Sequence, residues 1–432
     1  MQYADGASPA PRAITGGATA FFAVALVVSL FFLWGVANNL NDILIKQFKK
    51  AFELSDFEAG LVQSAFYVGY FVLAIPASIC MRRLGYKAAL LAGLTLYATG
   101  AFLFYPAATS HTYGLFLLAL FVIASGLAFL ETSANPLVTV LGSPERAAWR
   151  LNLAQSFNPV GSITGVLIGQ HFILSGVEHS RSELAAMSEA GRHAYYVSES
   201  AAVKAPYLTI GAVVVLWAAL IAFTRLPTVA QDGGDRRSFR SHASGLLRNS
   251  HFTFAVVAQF FYVGAQVGIW SFFIRYAQRA LPGIPEKSAA DFLTLSLVIF
   301  MLGRFIGTAM MRYLSPNRIL AAFAVVDMLL GAIALAYPGR TGVGALVAMS
   351  FFMSIMFPTI FALGLSGLAD DDRKLGSSFL VMAIIGGAIL TAAMGAVSDS
   401  VGIERAIAVP IVSFAIVFAF SHHSNRSTPA YE

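Results

Sequence analysis

The sequence predicts an all-helical integral membrane protein with twelve transmembrane helices in two six-helix halves. Of the 432 residues, 57% are apolar and only 12% are charged, and the apolar residues form continuous stretches. A soluble globular chain carries about 25% charged residues, whereas about 20 apolar residues cross a ~30 Å hydrocarbon core. Continuous runs also differ from the alternating pattern of barrel strands. A soluble fold, a disordered chain, a disulfide scaffold and a nucleic-acid module are therefore excluded.

Twelve stretches are long enough to span a membrane. They cover residues 18–45, 60–80, 88–107, 113–141, 151–175, 205–225, 252–276, 291–311, 319–338, 343–367, 377–397 and 406–423. The first is too long for the core of a signal peptide, and no small-residue cleavage site follows it. Each stretch is expected to form one helix.

A polar segment near the middle of the chain separates six predicted spans from the other six. We expect a bundle over 1–225, a cytoplasmic linker over 226–251 and a second bundle over 252–432. The halves echo each other in two pairs of strings, Phe31–Gly35 with Phe260–Gly264 and Met81–Leu84 with Met311–Leu314. Two six-helix repeats around a polar linker are typical of major facilitator transporters, which bind substrate between the halves.

Charge placement predicts the orientation of the chain. With both termini inside, sixteen Lys and Arg fall on inner segments and eleven on outer ones, which favours cytoplasmic termini in a bacterial inner membrane. The polar outer loop near Ser175–Lys204 is expected to carry a surface helix.

Glu131 is the clearest ionisable residue inside a predicted span. No other charge lies in 113–141, and Asn135 follows one helical turn later on the same face. Removing a carboxylate from water favours its protonated form, so Glu131 suits a proton carrier that ionises when water reaches it. The alternative is a permanently neutral Glu131 that hydrogen-bonds a neighbouring helix.

Asp42 is the second candidate. Asn38, Asn41 and Asp42 share one helix face, with Asn39 adjacent. An acid among carboxamides offers the donors and acceptors that sugar hydroxyls need. The alternative is that the first helix ends at Ala37 and an exposed loop follows.

Two stripes mark the fifth span. Asn152, Gln155 and Asn158 recur every three residues and predict a polar face that lines a hydrated cavity. Small residues then recur every four residues and predict a close-packing face for a neighbouring helix. These are Gly161, Gly165 and Gly169.

Other polar and aromatic residues inside the spans are interpreted as structural. For Arg304 and Asp327 we expect mutual pairing or interfacial placement rather than a transport role, and His171 is expected at the interface. Packing or membrane-belt positions are favoured over sugar stacking for four aromatic residues. These are Trp34, Tyr262, Trp270 and Phe357.

The chain lacks the motifs of soluble enzymes, including the P-loop, His-Glu-x-x-His and Gly-x-Ser-x-Gly. We therefore expect no enzyme activity, no cofactor and no metal, with the proton as coupling ion. The expected partners are a small-molecule sugar, the proton and the lipid bilayer, without nucleic acid, and the chain is expected to be a monomer.

Several strings resemble the fucose–proton symporter family of the major facilitator superfamily. They are Phe31–Leu44, Gln63–Phe71, Glu131–Pro136, Arg150–Asn158, Tyr262–Gln266 and Pro358–Phe361. The resemblance runs from about residue 20 to 420. It implies proton-coupled uptake of L-fucose or a closely related sugar by alternating access.

The resemblance also implies roles for individual residues. The essential acids of the family correspond to Asp42 and Glu131, and its sugar-contacting carboxamides correspond to Asn39, Gln155 and Asn158; Asp42 is counted with the sugar site as well.

The chain departs from the family in two places. It has Met356-Phe357 where the family has a Gln-Tyr pair, which leaves the exact sugar open. Asp327 also has no charged counterpart in the family. The alternatives are a glucose/galactose-type hexose transporter, a proton-driven exporter of amphipathic compounds and a membrane sugar sensor.

Overall fold

The computed structural model describes residues 18–54, 56–173, 183, 186–226 and 239–427. The helices of the first half are α1 (Ala18–Ala51), α2 (Asp56–Leu84), α3 (Tyr86–Thr109), α4 (Tyr113–Val140), α5 (Ala147–Gln155), α6 (Phe157–Ile168), α7 (Glu189–Ala201) and α8 (Lys204–Phe223). A linker helix, α9 (Phe239–Arg248), precedes the second half. That half contains α10 (Ser250–Ala280), α11 (Glu286–Met310), α12 (Pro316–Ala336), α13 (Arg340–Met353), α14 (Met356–Gly364), α15 (Asp370–Met382), α16 (Gly386–Val401), α17 (Ile403–Ala406) and α18 (Ala408–Ser427).

The predicted all-helical membrane fold is confirmed. Ten helical stretches of the described residues are long and apolar enough to cross a membrane, and α1 and the pair α5–α6 occupy the other two predicted spans. Because α1 continues to Ala51, residues 38–42 are helical. The alternative of a loop after Ala37 is therefore wrong.

The two halves repeat the same pattern of helix packing. In the first half α1 packs on α6, α3 on α4 and α8, and α2 on α4. In the second half α10 packs on α16, α12 on α13 and α18, and α11 on α13. The faint echo between the halves in the sequence therefore corresponds to a repeated three-dimensional arrangement.

Glycine allows the closest approach in each half. A Cβ added to Gly161 would lie 2.1 Å from the Phe32 carbonyl oxygen, and one added to Gly386 would lie 2.1 Å from that of Phe260. Gly165 likewise faces the backbone of Val36 on α1. The predicted close-packing face is thus present at Gly161 and Gly165, where side chains would force the helices apart.

The halves touch at the end of the bundle where α2 ends and α10 begins, which we call the linker end. There Arg82 of the first half lies 3.8 Å from Asp371 of the second, and Tyr86 lies 3.3 Å from Asp370. The guanidinium of Arg312, which follows α11, lies over the Trp149 ring at 5.4 Å. Each of the two similar strings, 81–84 and 311–314, therefore contains an arginine that contacts the opposite half.

At the opposite end of the bundle, α7 forms within the loop that was expected to carry a surface helix. Ser188 caps it by accepting a hydrogen bond from the Gly191 N–H at 3.1 Å. His111, in the turn between α3 and α4, lies 2.9 Å from the Ser200 hydroxyl and so connects that turn to α7.

Candidate functional site

Glu131 and Asn135 lie side by side in the interior of the first half. Both are on α4, one turn apart, and neither is more than 1% exposed. The Asn135 side-chain oxygen accepts a hydrogen bond of 3.1 Å from Gln155 Nε2. The acid and the two carboxamides therefore bring α4 and the end of α5 together in one polar region.

Two aromatic residues with polar groups complete this region. The Tyr70 hydroxyl of α2 is close enough to interact with both the Glu131 carboxyl and the Trp34 indole of α1. Yet Tyr70 Oη and Trp34 Nε1 complete no regular hydrogen bond within the described part of the chain. Both are buried donors.

Further buried polar atoms on α1 and α4 also lack a partner among the described residues. They are Asn38 Oδ1, Thr132 Oγ1 and Asn135 Nδ2. An unsatisfied buried polar group costs about 1–3 kcal/mol. Such a cluster is typical of a site that is completed by a polar ligand or by water.

The predicted polar stripe on the fifth span is interrupted by a helix break. Helix α5 ends at Gln155 and α6 begins at Phe157, so the three carboxamides turn to different neighbours. Gln155 faces α4, Asn158 donates to the Phe31 carbonyl of α1 at 3.3 Å, and Asn152 donates to Thr359 Oγ1 of the second half at 3.0 Å. Asn152 is fully buried and belongs to the contact between the halves.

The break exposes a backbone acceptor that Arg304 uses. Because Pro159 has no N–H, the carbonyl of Gln155 has no helical donor four residues later. Arg304 Nη1, from the second half, donates to that carbonyl at 3.1 Å. Arg304 Nε donates at 2.6 Å to the Ser354 carbonyl, which Pro358 frees in the same way.

A third proline-freed carbonyl is also used across the halves. Pro136 leaves the Thr132 carbonyl without its helical donor, and the Ser377 hydroxyl of α15 lies 2.8 Å from it. The same hydroxyl lies 2.8 Å from the Lys374 carbonyl. Thr132, one residue from Glu131, thus connects the polar region directly to the second half.

Asn39 and Asp42 are placed only in part. Both lie within the helical backbone of α1, one and two turns beyond Trp34. Their side chains lie outside the described residues, so their predicted roles stay predictions.

The expected pairing of Arg304 with Asp327 is wrong. Both side chains are buried, which also excludes interfacial placement. Arg304 donates to backbone carbonyls and lies over the Phe300 ring at 4.6 Å, whereas both Asp327 oxygens lack a hydrogen-bond partner among the described residues. Neighbouring spans in sequence do not determine which faces meet.

Three of the four aromatic candidates take packing positions, whereas the indole of Trp34 belongs to the polar region described above. Trp34, Tyr262 and Phe357 are buried, and the Tyr262 hydroxyl donates to the Met353 carbonyl at 2.9 Å. Trp270 is half-buried and donates to Ser350 Oγ at 3.2 Å. His171 is exposed at the end of its span and contacts the Leu167 carbonyl, as expected for an interfacial histidine.

Comparison with known proteins identifies the family. Residues 13–384 match the family model described as Major Facilitator Superfamily. The chain is 49% identical over 408 residues to the L-fucose-proton symporter of Escherichia coli K12, with 93% of each chain covered. It belongs to the fucose–proton symporters of the major facilitator superfamily. It is also 37% identical over 407 residues to the glucose/galactose transporter of Brucella abortus, covering 94% of this chain and 95% of that protein.

The fold of this superfamily member is matched by a solved structure. The crystal structure of the major facilitator transporter FucP in the outward conformation aligns with a TM-score of 0.88 at 48% identity, covering 94% of this chain and 99% of that one. The predicted major facilitator fold is thus confirmed.

Sequence reasoning missed Tyr70 and the acceptors that Arg304 uses. A tyrosine in an apolar span has the same pattern as a packing residue. The freed carbonyls could have been found from Pro136, Pro159 and Pro358, but their donors come from distant helices.

Proposed function

We propose that this transporter imports L-fucose or a closely related sugar together with a proton by alternating access. The observation that carries the proposal is the set of buried polar atoms on α1, α2 and α4 that lack a partner among the described residues, on the helices that position Glu131 and Tyr70. A sugar offers a donor and an acceptor at each hydroxyl, so it can satisfy indole, phenol and carboxamide groups at once. Gln155 joins the site through its hydrogen bond to Asn135 and Asn158 donates to α1, and Asn39 and Asp42 are proposed to extend the site along α1.

Glu131 is proposed to carry the proton. It is 1% exposed and lies beside Tyr70, where an ionised carboxylate is costly. Proton uptake from the outside neutralises it and lowers the cost of closing the site around the sugar. When the halves part at the linker end, water reaches Glu131 and the proton leaves with the sugar.

The linker end is proposed to face the cytoplasm. Lys and Arg are favoured on cytoplasmic segments, and the linker end carries Arg82, Arg83, Arg312, Arg373 and Lys374. With this orientation the contacts between the halves close the cytoplasmic side. Both termini would then be cytoplasmic, in a bacterial inner membrane, and the site lies within one chain, which is consistent with a monomer.

A sugar panel tests the substrate. Cells that express the protein should accumulate labelled L-fucose, and unlabelled L-fucose should compete better than D-glucose or D-galactose. Accumulation of glucose and galactose instead would keep the mechanism and replace the substrate, as the similarity to the Brucella transporter allows. Exclusion of an amphipathic compound by energised cells, without sugar uptake, would contradict the proposal.

The Glu131→Gln variant separates binding from coupling. A glutamine mimics the protonated acid, so sugar counterflow should persist while accumulation driven by the proton gradient is lost. Loss of counterflow as well would show that Glu131 binds the sugar rather than acting as the proton carrier alone.

A further inference from the structure

Asp327 occupies an unusual position in the second half. It lies in the middle of α12 (Pro316–Ala336) and is 0% exposed. Both carboxyl oxygens lack a hydrogen-bond partner among the residues that the structure describes. A carboxylate in this position would have no donor from the described residues to stabilise its charge.

Arg304 is the nearest candidate for a counter-ion, yet it is engaged elsewhere. Its guanidinium donates to the carbonyls of Ser354 and Gln155 and lies over the Phe300 ring. Tyr262 interacts electrostatically with both Arg304 and Asp327. The Tyr262 hydroxyl donates its hydrogen bond to the Met353 carbonyl rather than to Asp327.

The helices around Asp327 supply no other titratable group at this depth. Between Gly342 and Gly364, α13 and α14 contain none, and the same is true of α18 from Ala408 to Phe420. The central part of α10 contains only Tyr262, and that of α11 only Arg304. The charge state of Asp327 is therefore governed by its burial.

We propose that Asp327 is a second proton-binding site of this protein, and that its carboxyl holds a proton in the packed arrangement of the halves. The neutral acid avoids the cost of an unpaired charge at membrane depth, which is several kcal/mol. The release of this proton rests on the proposed function. When the halves separate during transport, Arg304 loses its contact with the Gln155 carbonyl. Arg304 then becomes available to pair with Asp327, and the proton passes to water.

Infrared spectroscopy of the purified full-length protein in liposomes tests this directly. At neutral pH the wild type should show a protonated-carboxyl C=O band that is missing from the Asp327→Asn variant. Asp291→Asn, which removes an exposed acid from the neighbouring α11, should leave that band unchanged. An unchanged band in folded Asp327→Asn would overturn the proposal.

A second measurement covers the case in which Asp327→Asn does not fold. All aspartates are labelled with ¹³C at the carboxyl group in the Asp42→Asn variant. Because this variant lacks Asp42, Asp327 is the labelled aspartate in the middle of a span. An isotope shift of the protonated band supports the proposal, and its absence contradicts it. Neither measurement requires transport, so a failure of sugar symport and a failure of this site are separate results.

Release of the proton has its own readout. Adding L-fucose should reduce the intensity of the protonated-carboxyl band in the wild type. The part of this decrease that comes from Asp327 should be missing in Asp327→Asn. Counterflow by Glu131→Gln shows independently that the protein binds the sugar. If it does, and the Asp327 band of the wild type still stays constant on addition of L-fucose, the release step is wrong.

Discussion

Arg304 of the second half donates a hydrogen bond of 3.1 Å to the Gln155 carbonyl of the first half. The acceptor is available because Pro159 withholds the helical donor. The same guanidinium takes the Ser354 carbonyl, freed by Pro358. One side chain therefore satisfies a helix break in each half and connects the two.

Replacing Arg304 with lysine should weaken this connection. A single ammonium cannot reproduce the two directed bonds of the guanidinium, and a hydrogen bond to a charged group contributes about 1.5–3 kcal/mol. We expect a lower melting temperature and reduced sugar counterflow. The control is Arg312→Lys, which alters an exposed contact with Trp149 worth about 0.5–1 kcal/mol. Equal effects of the two variants would contradict the role of Arg304.

Ser377 and Pro136 should be coupled in stability. In Ser377→Ala the Thr132 carbonyl loses its donor, at a cost of about 1–3 kcal/mol. The Lys374 carbonyl is less affected because it keeps the N–H of its own helix. In Pro136→Ala the new backbone N–H can take the Thr132 carbonyl, so the double variant should lose less than the sum of the single ones. A double-mutant cycle from thermal unfolding measures this, and strict additivity would show that Ser377 does not serve that carbonyl.

Gly161→Ala should disrupt the contact between α1 and α6. The new methyl group would lie 2.1 Å from the Phe32 carbonyl oxygen, and backbone cannot yield as a side chain can. Overpacking of this kind costs about 1–3 kcal/mol or more. Gly344→Ala is the matched control, since its Cβ would meet nothing within 4 Å. Unfolding temperatures should fall for the first variant and stay level or rise for the second.

His111 should make the docking of α7 sensitive to acid. Burial and the neighbouring His193 lower the pKa of His111. Because its folded pKa lies below the unfolded value of about 6.5, its contribution to stability is complete above the unfolded pKa and is lost as the pH falls through the lower, folded pKa. Hydrogen exchange of α7, corrected for the intrinsic pH dependence, should therefore rise on acidification.

Asparagine at position 111 should remove that pH response. It tolerates the left-handed backbone seen there, where φ is 47°. His193→Asn should retain part of the response. Unchanged acid sensitivity in His111→Asn would show that another group controls α7.

The sequence was sufficient for the class of protein, the spans, the family and the burial of Glu131. Composition and continuous apolar runs determine the spans, and the interval of Gly161 and Gly165 predicts a helix contact. The helix breaks at Ser156 and at Ser354–Ile355 were not predicted. Hydropathy measures apolar character, so it does not detect a proline that frees a carbonyl within an apolar run.

Pairing between distant helices was the harder part. The contact of Asn152 with Thr359 and the separation of Arg304 from Asp327 depend on how helices rotate about their axes. A single sequence places a charge in a span but does not determine which neighbour it faces. The stripe of Asn152, Gln155 and Asn158 was likewise expected to line one cavity. In the structure the three side chains contact three different helices.

Proton movement on addition of sugar tests the central claim most directly. Lightly buffered, de-energised cells that express the protein should make the medium more alkaline when L-fucose is added, and this signal should vanish in Glu131→Gln while counterflow remains. No pH change with L-fucose, D-glucose or D-galactose, in cells shown to contain the folded protein, would contradict proton–sugar symport.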